Sequence, residues 1–450
     1  MRTLFGTDGI RGVANSEPIT CETALRVGRA LVYSCQRSVQ RPRIAVGRDT
    51  RISGDMLERA LTAGICSAGG DALLAGIIPT PAIAYLTRTL QANAGAVVSA
   101  SHNPFQDNGL KFFDGTGFKL PDEAEQGIEH LVLNGDVSAR STPAAELGTT
   151  RGVDDAGQRY IEFLQALVPP GRPFKGMRVA IDCAHGAAYS VGPELFRRLG
   201  ADVAALGATP DGTNINRDVG ATHPQRLQET VRAERAHVGI ALDGDADRVI
   251  LVDEQGDIVD GDEVLAIAAA DMLGHGILKH GTVVATVMSN LGLEVALRER
   301  GARLVRVQVG DRYVVEEMRQ HGYNLGGEQS GHLIFLDHGT TGDGLLAALQ
   351  VLRLMVERQR PLSELKRTMT RFPQVLLNVP VGVRRDLDGV EPLQQTIARI
   401  HAALNDRGRV LVRYSGTEPL VRVMVEGEDG DTVQAYAEEV AAVIRAELAS

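Results

Sequence analysis

The sequence predicts an α/β chain made of three similar α/β domains around a central cleft, followed by a smaller C-terminal α+β domain. Three observations carry this expectation. Short apolar, strand-like runs alternate with helical stretches through most of the chain. The order strand, helix, strand, strand recurs three times. The last strand of each copy runs into a polar cluster, and ligands of open α/β sheets sit beyond the carboxyl ends of the strands.

In the first copy "RIAVGRD" (43–49) reads as a strand. Ser53 then starts a helix whose Leu57, Leu61 and Ile65 recur at i, i+4 spacing until Gly69-Gly70 stops it. "ALLAGI" and "AGAVVSAS" follow as strands. The second copy runs from "MRVAIDC" (177–183) through a helix begun by Ser190 and ended near Gly200 to "ADVAALG" and "AHVGIALDGD". The third runs from "TVVATVM" (282–288) through a helix begun by Ser289 and ended near Gly301 to "ARLVRVQVG" and "YNLGGEQSGH". The clusters at the three ends are Ser101, then Asp243/Asp245/Asp247, then Glu328/Ser330. Three related domains facing one cleft would bring them together.

The tail differs. Strands are expected over 375–382 and 409–427, around helices near 391–404 and 431–448. The last helix carries Val433, Tyr436, Val440, Val443 and Ile444 at helical spacing. The expected domains are 1–138, 155–256, 258–367 and 372–450, with linkers in 134–156, 256–260 and 360–373.

Composition narrows the class. Of 450 residues, 44% are hydrophobic and 23% charged, ordinary values for a globular protein. A net charge of -10 argues against a nucleic-acid-binding surface. "MRTLFGTDGI" lacks the apolar core of a signal peptide, and no run approaches the roughly 18 apolar residues of a membrane span. Cys21, Cys35, Cys66 and Cys183 are scattered without a CxxC pair. Neither a disulfide framework nor a zinc site is expected, which fits a reducing cytoplasm.

"ALDGDADRVILVDE" (241–254) is the metal signal. Alternating carboxylates at Asp243, Asp245 and Asp247 can converge on one hard cation if the backbone turns, and all-oxygen ligation suits Mg²⁺. The same residues occupy positions 1, 3 and 5 of an EF-hand loop, with Glu254 at position 12. Arg248, however, stands where that loop needs glycine, and the flanks are β-rich. In "VVSASHNPFQDNG" (97–109) a buried strand ends on a turn that Pro104 keeps from becoming helix. The Ser101 hydroxyl held there either satisfies a backbone group or reacts.

"LVRYSGTEPLVRVMVEG" (411–427) reads as an anion nest of Arg413, Ser415, Thr417 and the Gly416 amide, with Arg422 as a second cation, or as an ordinary hairpin turn. In "GGEQSGH", Glu328 is an acceptor for sugar hydroxyls beside Ser330 and His332, or part of a plain Gly-rich turn. Arg11, in "GTDGIRG", reaches a phosphate or caps a turn. Lys111, in "NGLKFF", is a strand-start surface lysine or a group turned back into the cleft. A Ser-His-Asp hydrolase matches poorly, because "SASHN" is not the G-x-S-x-G elbow and His102 is adjacent to the serine. A serine near Mg²⁺, with basic groups and a phosphate nest, suits phosphoryl transfer through a phosphoserine.

Together "SASHNP", "DGDADR", "GEQSGH" and "RYSGTEP", in this order and spacing, resemble the α-D-phosphohexomutase superfamily over essentially the whole chain. "LFGTDGIRG", "GGEQSGH" and "SGTEPLVRVMVEG" are most similar to its bacterial phosphoglucosamine mutase branch. That branch interconverts glucosamine 6-phosphate and glucosamine 1-phosphate on the route to UDP-N-acetylglucosamine and cell-wall amino sugars. Phosphomannomutase or phosphoglucomutase is the alternative, and Gln329 is the residue that favours the glucosamine branch. The resemblance implies a phosphoserine at Ser101, with Mg²⁺ held by Asp243, Asp245 and Asp247 and touching it. Glu328 and Ser330 would grip sugar hydroxyls, and Arg413, Ser415, Gly416 and Thr417 the phosphate that is not transferred. Arg248 and Lys111 match basic positions near the transferred group, Lys111 as general base, and Arg11 would contact the phosphoserine. The implied partners are a sugar phosphate and glucosamine 1,6-bisphosphate, with neither nucleic acid nor membrane; a homodimer is left open.

Overall fold

The computed structural model describes residues 4–6, 8–36, 38–135, 137, 141–383, 385–415 and 420–448. They fall into two compact units, Met1–Met288 with Val305–Thr368, and Ser289–Leu304 with Met369–Ser450.

Three sheets realise the three copies. The first is ordered Ile10–Val13, Asp107–Asp114, Ala94–Val98, Arg43–Arg48, Asp71–Ile77, Thr150–Gly152. The second is ordered Ile258–Val259, Val249–Asp253, Val238–Leu242, Arg178–Asp182, Asp202–Leu206. The third is ordered Leu333–Phe335, Leu325–Gly327, Thr282–Thr286, Arg303–Val307. One four-strand order is common to all: a closing strand, the strand before it, the copy's first strand, then its second. The first-to-third pairing is parallel and the closing hairpin antiparallel in every copy. "AGAVV" and "VGIAL", enclosed in their sheets, are buried throughout, as expected for strands covered on both faces. The repeat that is faint residue by residue is therefore explicit in topology.

The helix starts correct the sequence reading. Ser53 lies inside the helix Ile52–Ser67, with Arg51 before it. Its hydroxyl instead accepts from Asn108 Nδ2 at 2.8 Å, tying helix to strand. Ser190 precedes Val191–Arg198 but makes no cap bond, its backbone already turned to φ -96°, ψ -54°. Asn290, not Ser289, caps Leu291–Glu299: at φ -60°, ψ 144° its side chain accepts from the Gly292 amide. A cap needs that extended backbone for its oxygen to reach the free amides of the first turn.

All three expected linkers carry structure of their own, and Ile258–Val259, in 256–260, is the edge strand of the second sheet. Thr150–Gly152 joins the first sheet beside Ala72–Leu74. The segment 360–373 contains the helix Leu362–Leu365, and Glu254 accepts from the Ser363 amide at 3.3 Å.

In the second unit Gln374–Pro380, Leu420–Gly427 and Gly408–Tyr414 form an antiparallel sheet in that order. The helices Glu391–Leu404 and Gly430–Leu448 accompany it. Val433, Ala437, Val440, Ala441 and Ile444 make the buried stripe of the last helix. Leu291–Glu299 belongs to this unit as well, although it is the helix of the third copy. Asn290 exchanges two hydrogen bonds with the Phe372 backbone, at 3.0 and 2.9 Å, and so fastens that helix beside the C-terminal sheet. Among the described residues no helix is long and apolar enough to cross a membrane.

Candidate active site

The strand Ala94–Val98 delivers Ser101 on a left-handed turn, φ 54°, with 1% of the residue exposed. A non-glycine residue in that region must be held by its surroundings, and the hydrogen bonds show what holds it. The Ser101 amide donates to Ser99 Oγ at 3.0 Å, and Ser99 donates in turn to Asp49 at 2.6 Å. Arg51, fully buried, donates to the carbonyls of Ser101 and Asn103 at 2.9 Å, Asp107 at 3.0 Å, and Pro104. Its Nε is paired with Asp49 at 2.9 Å. Asn216, from the second sheet's domain, donates to the carbonyls of Ser101 and Asn103 at 2.8 and 3.0 Å. Asp49, Arg51 and Asn216 were not singled out from the sequence. The signal available for the first two was "GRDTR" (47–51), opposite charges at the carboxyl end of a strand.

The second sheet delivers the acidic triad in the same way. Asp243 follows directly on Val238–Leu242, and Asp243, Asp245 and Asp247 are all buried, with one oxygen from each within 4.8 Å of the others. The turn comes so close to the serine loop that a Cβ on Gly244 would stand 2.6 Å from the Ser101 carbonyl oxygen. Ser101 Oγ donates to Asp243 Oδ2 at 2.6 Å. Thr80 Oγ1 and Lys111 Nζ both donate to Asp245 Oδ2, at 2.6 and 2.8 Å. The Oδ1 atoms of Asp245 and Asp247 are buried and accept no hydrogen bond. Burial, then the charges of Asp247 and Asp245, push the Asp243 carboxyl well above the usual range. Converging oxygens, two of them without a donor, and no sulfur or nitrogen in the set: this donor chemistry fits a hard divalent cation.

Basic groups surround these acids. Lys111 lies inside the strand Asp107–Asp114, not at its surface end, and is 1% exposed. Its ammonium sits 2.8 Å from Asp245, 3.3 Å from Asp8 and 3.4 Å from Asp247. Burial lowers its pKa, but the three carboxylates outweigh burial and raise it. In this setting Lys111 is a donor and a positive charge rather than a proton acceptor. Arg11 is part of the strand Ile10–Val13 and pairs with Asp8. Arg248 donates its amide to Asp243 at 3.2 Å. Burial opposes the charge of its guanidinium, while Asp247, Asp243 and Glu328 favour it and raise its pKa. His102 stands 3.4 Å from Ser101 Oγ. Burial, then Arg248 and Arg11, lower its pKa to about 4, so the ring is neutral at neutral pH.

From the third sheet, Glu328 follows Leu325–Gly327. It accepts from the Gly310 amide at 3.2 Å and from Ser330 Oγ at 3.0 Å. His332 lies 3.7 Å from Asp247 and 3.3 Å from Asp311. Burial disfavours its charge, but the two carboxylates push its pKa up to about 10. Arg11, His102, Lys119, Arg248, Asp311 and Glu328 share the wall of one cavity of about 600 Å³. Asp8, Thr80, Lys119 and Asp311 were also not singled out from the sequence.

In the second unit, Arg413 and Arg422 are directly opposite on paired strands. Like charges in that position disfavour each other. Burial, then Arg422, lower the Arg413 pKa, the setting in which an anion is welcome. Ser415 is buried beside them in sequence. Gly416 and Thr417 lie outside the described residues.

A buried hydroxyl on a carboxylate acceptor, a hard-cation donor set and flanking cations suit transfer of a phosphoryl group. Comparison with known proteins points the same way. The four family models of phosphoglucomutase/phosphomannomutase match in order: alpha/beta/alpha domain I over residues 2–138, II over 158–256, III over 260–372, and the C-terminal domain over 376–443. A phosphoglucosamine mutase of Anaeromyxobacter sp. (strain Fw109-5) is 54% identical, covering 99% of this chain and 96% of its own. The crystal structure of a phosphoglucomutase/phosphomannomutase family protein from Burkholderia thailandensis has the same fold, with a TM-score of 0.83 at 24% identity, covering 99% of this chain and 98% of that one. Aspergillus fumigatus N-acetylphosphoglucosamine mutase, solved with GlcNAc-6P and magnesium, shares the fold at a TM-score of 0.68 and 18% identity, covering 99% and 96% of the two chains.

Proposed function

The chain belongs to the phosphoglucosamine mutases of the phosphoglucomutase/phosphomannomutase family, and we propose that it interconverts glucosamine 6-phosphate and glucosamine 1-phosphate by parking a phosphoryl group on Ser101. The observation that carries this reading is the Ser101 hydroxyl, 2.6 Å from Asp243 and inside the acidic triad's reach.

In the working enzyme Ser101 carries the phosphate. A free hydroxyl of the bound sugar monophosphate attacks it; the new P–O bond forms as the P–Oγ bond breaks, and the proton of the attacking hydroxyl ends on the departing Ser101 Oγ. The product is bound glucosamine 1,6-bisphosphate. After it turns end for end, its other phosphoryl group passes back to Ser101 and the isomerised monophosphate departs. Phosphoserine brings a charge of about -2 beside three aspartates. Mg²⁺ held by Asp243, Asp245 and Asp247 would neutralise that charge and polarise the phosphoryl group.

This chain's own residues do the rest. Arg51 and Asn216 hold the serine loop by its carbonyls. Arg11, Lys111 and Arg248 offer N–H donors to the oxygens of the transferred group. Glu328 and Ser330 orient sugar hydroxyls, and Arg413, Ser415, Gly416, Thr417 and Arg422 hold the phosphate that stays. The four domains 1–138, 155–256, 258–367 and 372–450 then divide the work as phosphate carrier with basic groups, metal site, sugar grip and distal phosphate grip. A cytoplasmic role supplying amino sugar for UDP-N-acetylglucosamine suits the substrate and the free cysteines.

The test is intact mass with a coupled assay. Protein as purified should show a fraction heavier by one phosphoryl group, mapped to Ser101, and that fraction should track turnover of glucosamine 6-phosphate. Turnover by protein shown to carry no phosphate, without added bisphosphate, overturns the mechanism.

A further inference from the structure

Asp311 is one of four carboxylates, with Asp8, Asp247 and Glu328, in the wall of a cavity that also carries Arg11, Lys119, Arg248 and His332. It opens the helix Asp311–His321, is buried, and shares the cavity with Arg11, Arg248 and Glu328. Two cationic groups lie against it, Lys119 Nζ at 2.5 Å and His332 Nε2 at 3.3 Å, both on Oδ2. Burial would raise its pKa, but Lys119 and His332 outweigh burial and hold the carboxylate ionised. Both cations lie against Oδ2, which is fully buried. Buried carboxylate oxygens are normally satisfied, and a carboxylate has about four acceptor positions. Oδ1 is therefore the oxygen left for a donor arriving from the cavity that Asp311 lines.

Its position relative to Glu328 says which donor. The Gly310 amide, one residue before Asp311, donates to Glu328 Oε1 at 3.2 Å. The backbone thus puts Asp311 next to the carboxylate that grips ring hydroxyls, where the neighbouring ring substituent would fall. On glucosamine phosphate that neighbour includes an ammonium group, the only cationic part of the substrate.

We propose that Asp311 receives the 2-ammonium group of the sugar phosphate and so sets the preference for an amino sugar over its 2-hydroxy analogue. The proposal rests on the mutase reading above. An ammonium brings three N–H donors and a full charge to an ionised acceptor; a hydroxyl brings one donor and no charge. Charge-assisted hydrogen bonds are roughly twice as strong as neutral ones. Glu328 alone does not separate the two sugars, since both present it with hydroxyls.

The experiment uses the full chain, phosphorylated on Ser101, as wild type, Asp311→Asn and Asp311→Glu. Values of kcat and KM are measured with glucosamine 6-phosphate and glucose 6-phosphate under one concentration of glucose 1,6-bisphosphate. Asp311→Asn should lower the ratio of kcat/KM for the amino sugar to that for glucose by at least about tenfold, mainly through KM of the amino sugar. Asp311→Glu, which keeps the charge, should recover part of the ratio. Equal losses on both substrates would make Asp311 a prop for Lys119 and His332 and overturn the proposal; so would an unchanged ratio. Should Asp311→Asn fail to fold, wild-type calorimetry decides: equal affinity for the two 6-phosphates overturns it, and tighter binding of the amino sugar, reduced in Asp311→Glu, supports it. A wild type that turns over both sugars equally removes the role of Asp311 alone, whereas no turnover of glucosamine 6-phosphate removes the mutase reading and this inference together.

Discussion

Ser101 donates its hydroxyl to Asp243 across 142 residues of chain, at 2.6 Å. That bond joins the ends of two equivalent strands, Ala94–Val98 and Val238–Leu242, from two copies of one repeat. It is reinforced from both sides. Asn216 holds the Ser101 carbonyl at 2.8 Å, and Thr80 holds Asp245 at 2.6 Å by side chain and 3.0 Å by backbone. The serine loop and the acidic triad are therefore tied together by hydrogen bonds besides the one from the Ser101 hydroxyl, which suits positioning of a phosphoryl group.

Ser101→Ala should abolish turnover, with kcat down by at least about a thousandfold, because the phosphate carrier is gone. Folding should survive: the loss is one buried hydrogen bond, on the order of 1–3 kcal/mol. The coupled assay and a thermal melt check the two halves. Residual activity within tenfold of wild type would reject the phosphoserine mechanism.

Arg51→Ala should cost stability and activity together. It leaves Asp49 as an unpaired buried charge, about 3–5 kcal/mol in comparable cases, and frees the carbonyls of the serine loop. Arg51→Lys keeps the charge but not the planar fork, and a loop shifted by about 1 Å can lower kcat by about a hundredfold. Wild-type kcat in the Lys variant would show that the loop holds its shape without the guanidinium.

Asp245→Asn removes one anionic oxygen from the triad. The Mg²⁺ concentration giving half-maximal rate should rise about tenfold or more, and chelator-treated wild type should regain activity on Mg²⁺ addition. An unchanged Mg²⁺ requirement in the variant would take Asp245 out of the metal's ligand set.

Asp343 offers a pH prediction away from the cavity's cations. It caps the helix Gly344–Arg358, accepts from the Tyr160 hydroxyl at 2.8 Å, and burial pushes its pKa up to about 6. Its folded pKa lies above the unfolded value of about 3.9, so the native state binds more protons between the two. Stability from this residue is present below about pH 4 and declines as pH rises to about 6, by roughly 3 kcal/mol in all. Asp343→Asn remains a cap acceptor without that titration. Its melting temperature relative to wild type should rise between pH 4 and 6.5; a constant offset would assign the carboxyl no such role.

Much of the site is legible in the chain because its chemistry is local. Asp243, Asp245 and Asp247 need only a turn to converge, and the turn follows "VGIAL", a run too apolar to be anything but a buried strand. The C-terminal helices at 391–404 and 430–448 are readable for a similar reason, their periodic apolar residues. Ser53 and Ser289 misled as helix starts, and Ser190 stands at its helix start without making the cap bond, because capping depends on backbone angles, and residue type alone does not set them.

The amino-acid sequence by itself determined the repeat, the order of strands and helices and the polar clusters at strand ends, since these follow from apolar periodicity and turn chemistry over ten to twenty residues. Only the tertiary structure decided what those clusters meet. Lys111 is a surface lysine or a buried cation according to whether Asp8, Asp245 and Asp247 stand around it. Arg51 can be fully buried because Asp49 and the carbonyls of residues 101–107 satisfy its guanidinium. Asp311 becomes part of the cavity wall beside Glu328 through Gly310 and Lys119. The physical reason is common to all three. A charge tolerates burial only where partners compensate it, and packing brought most of those partners from segments far apart in the chain.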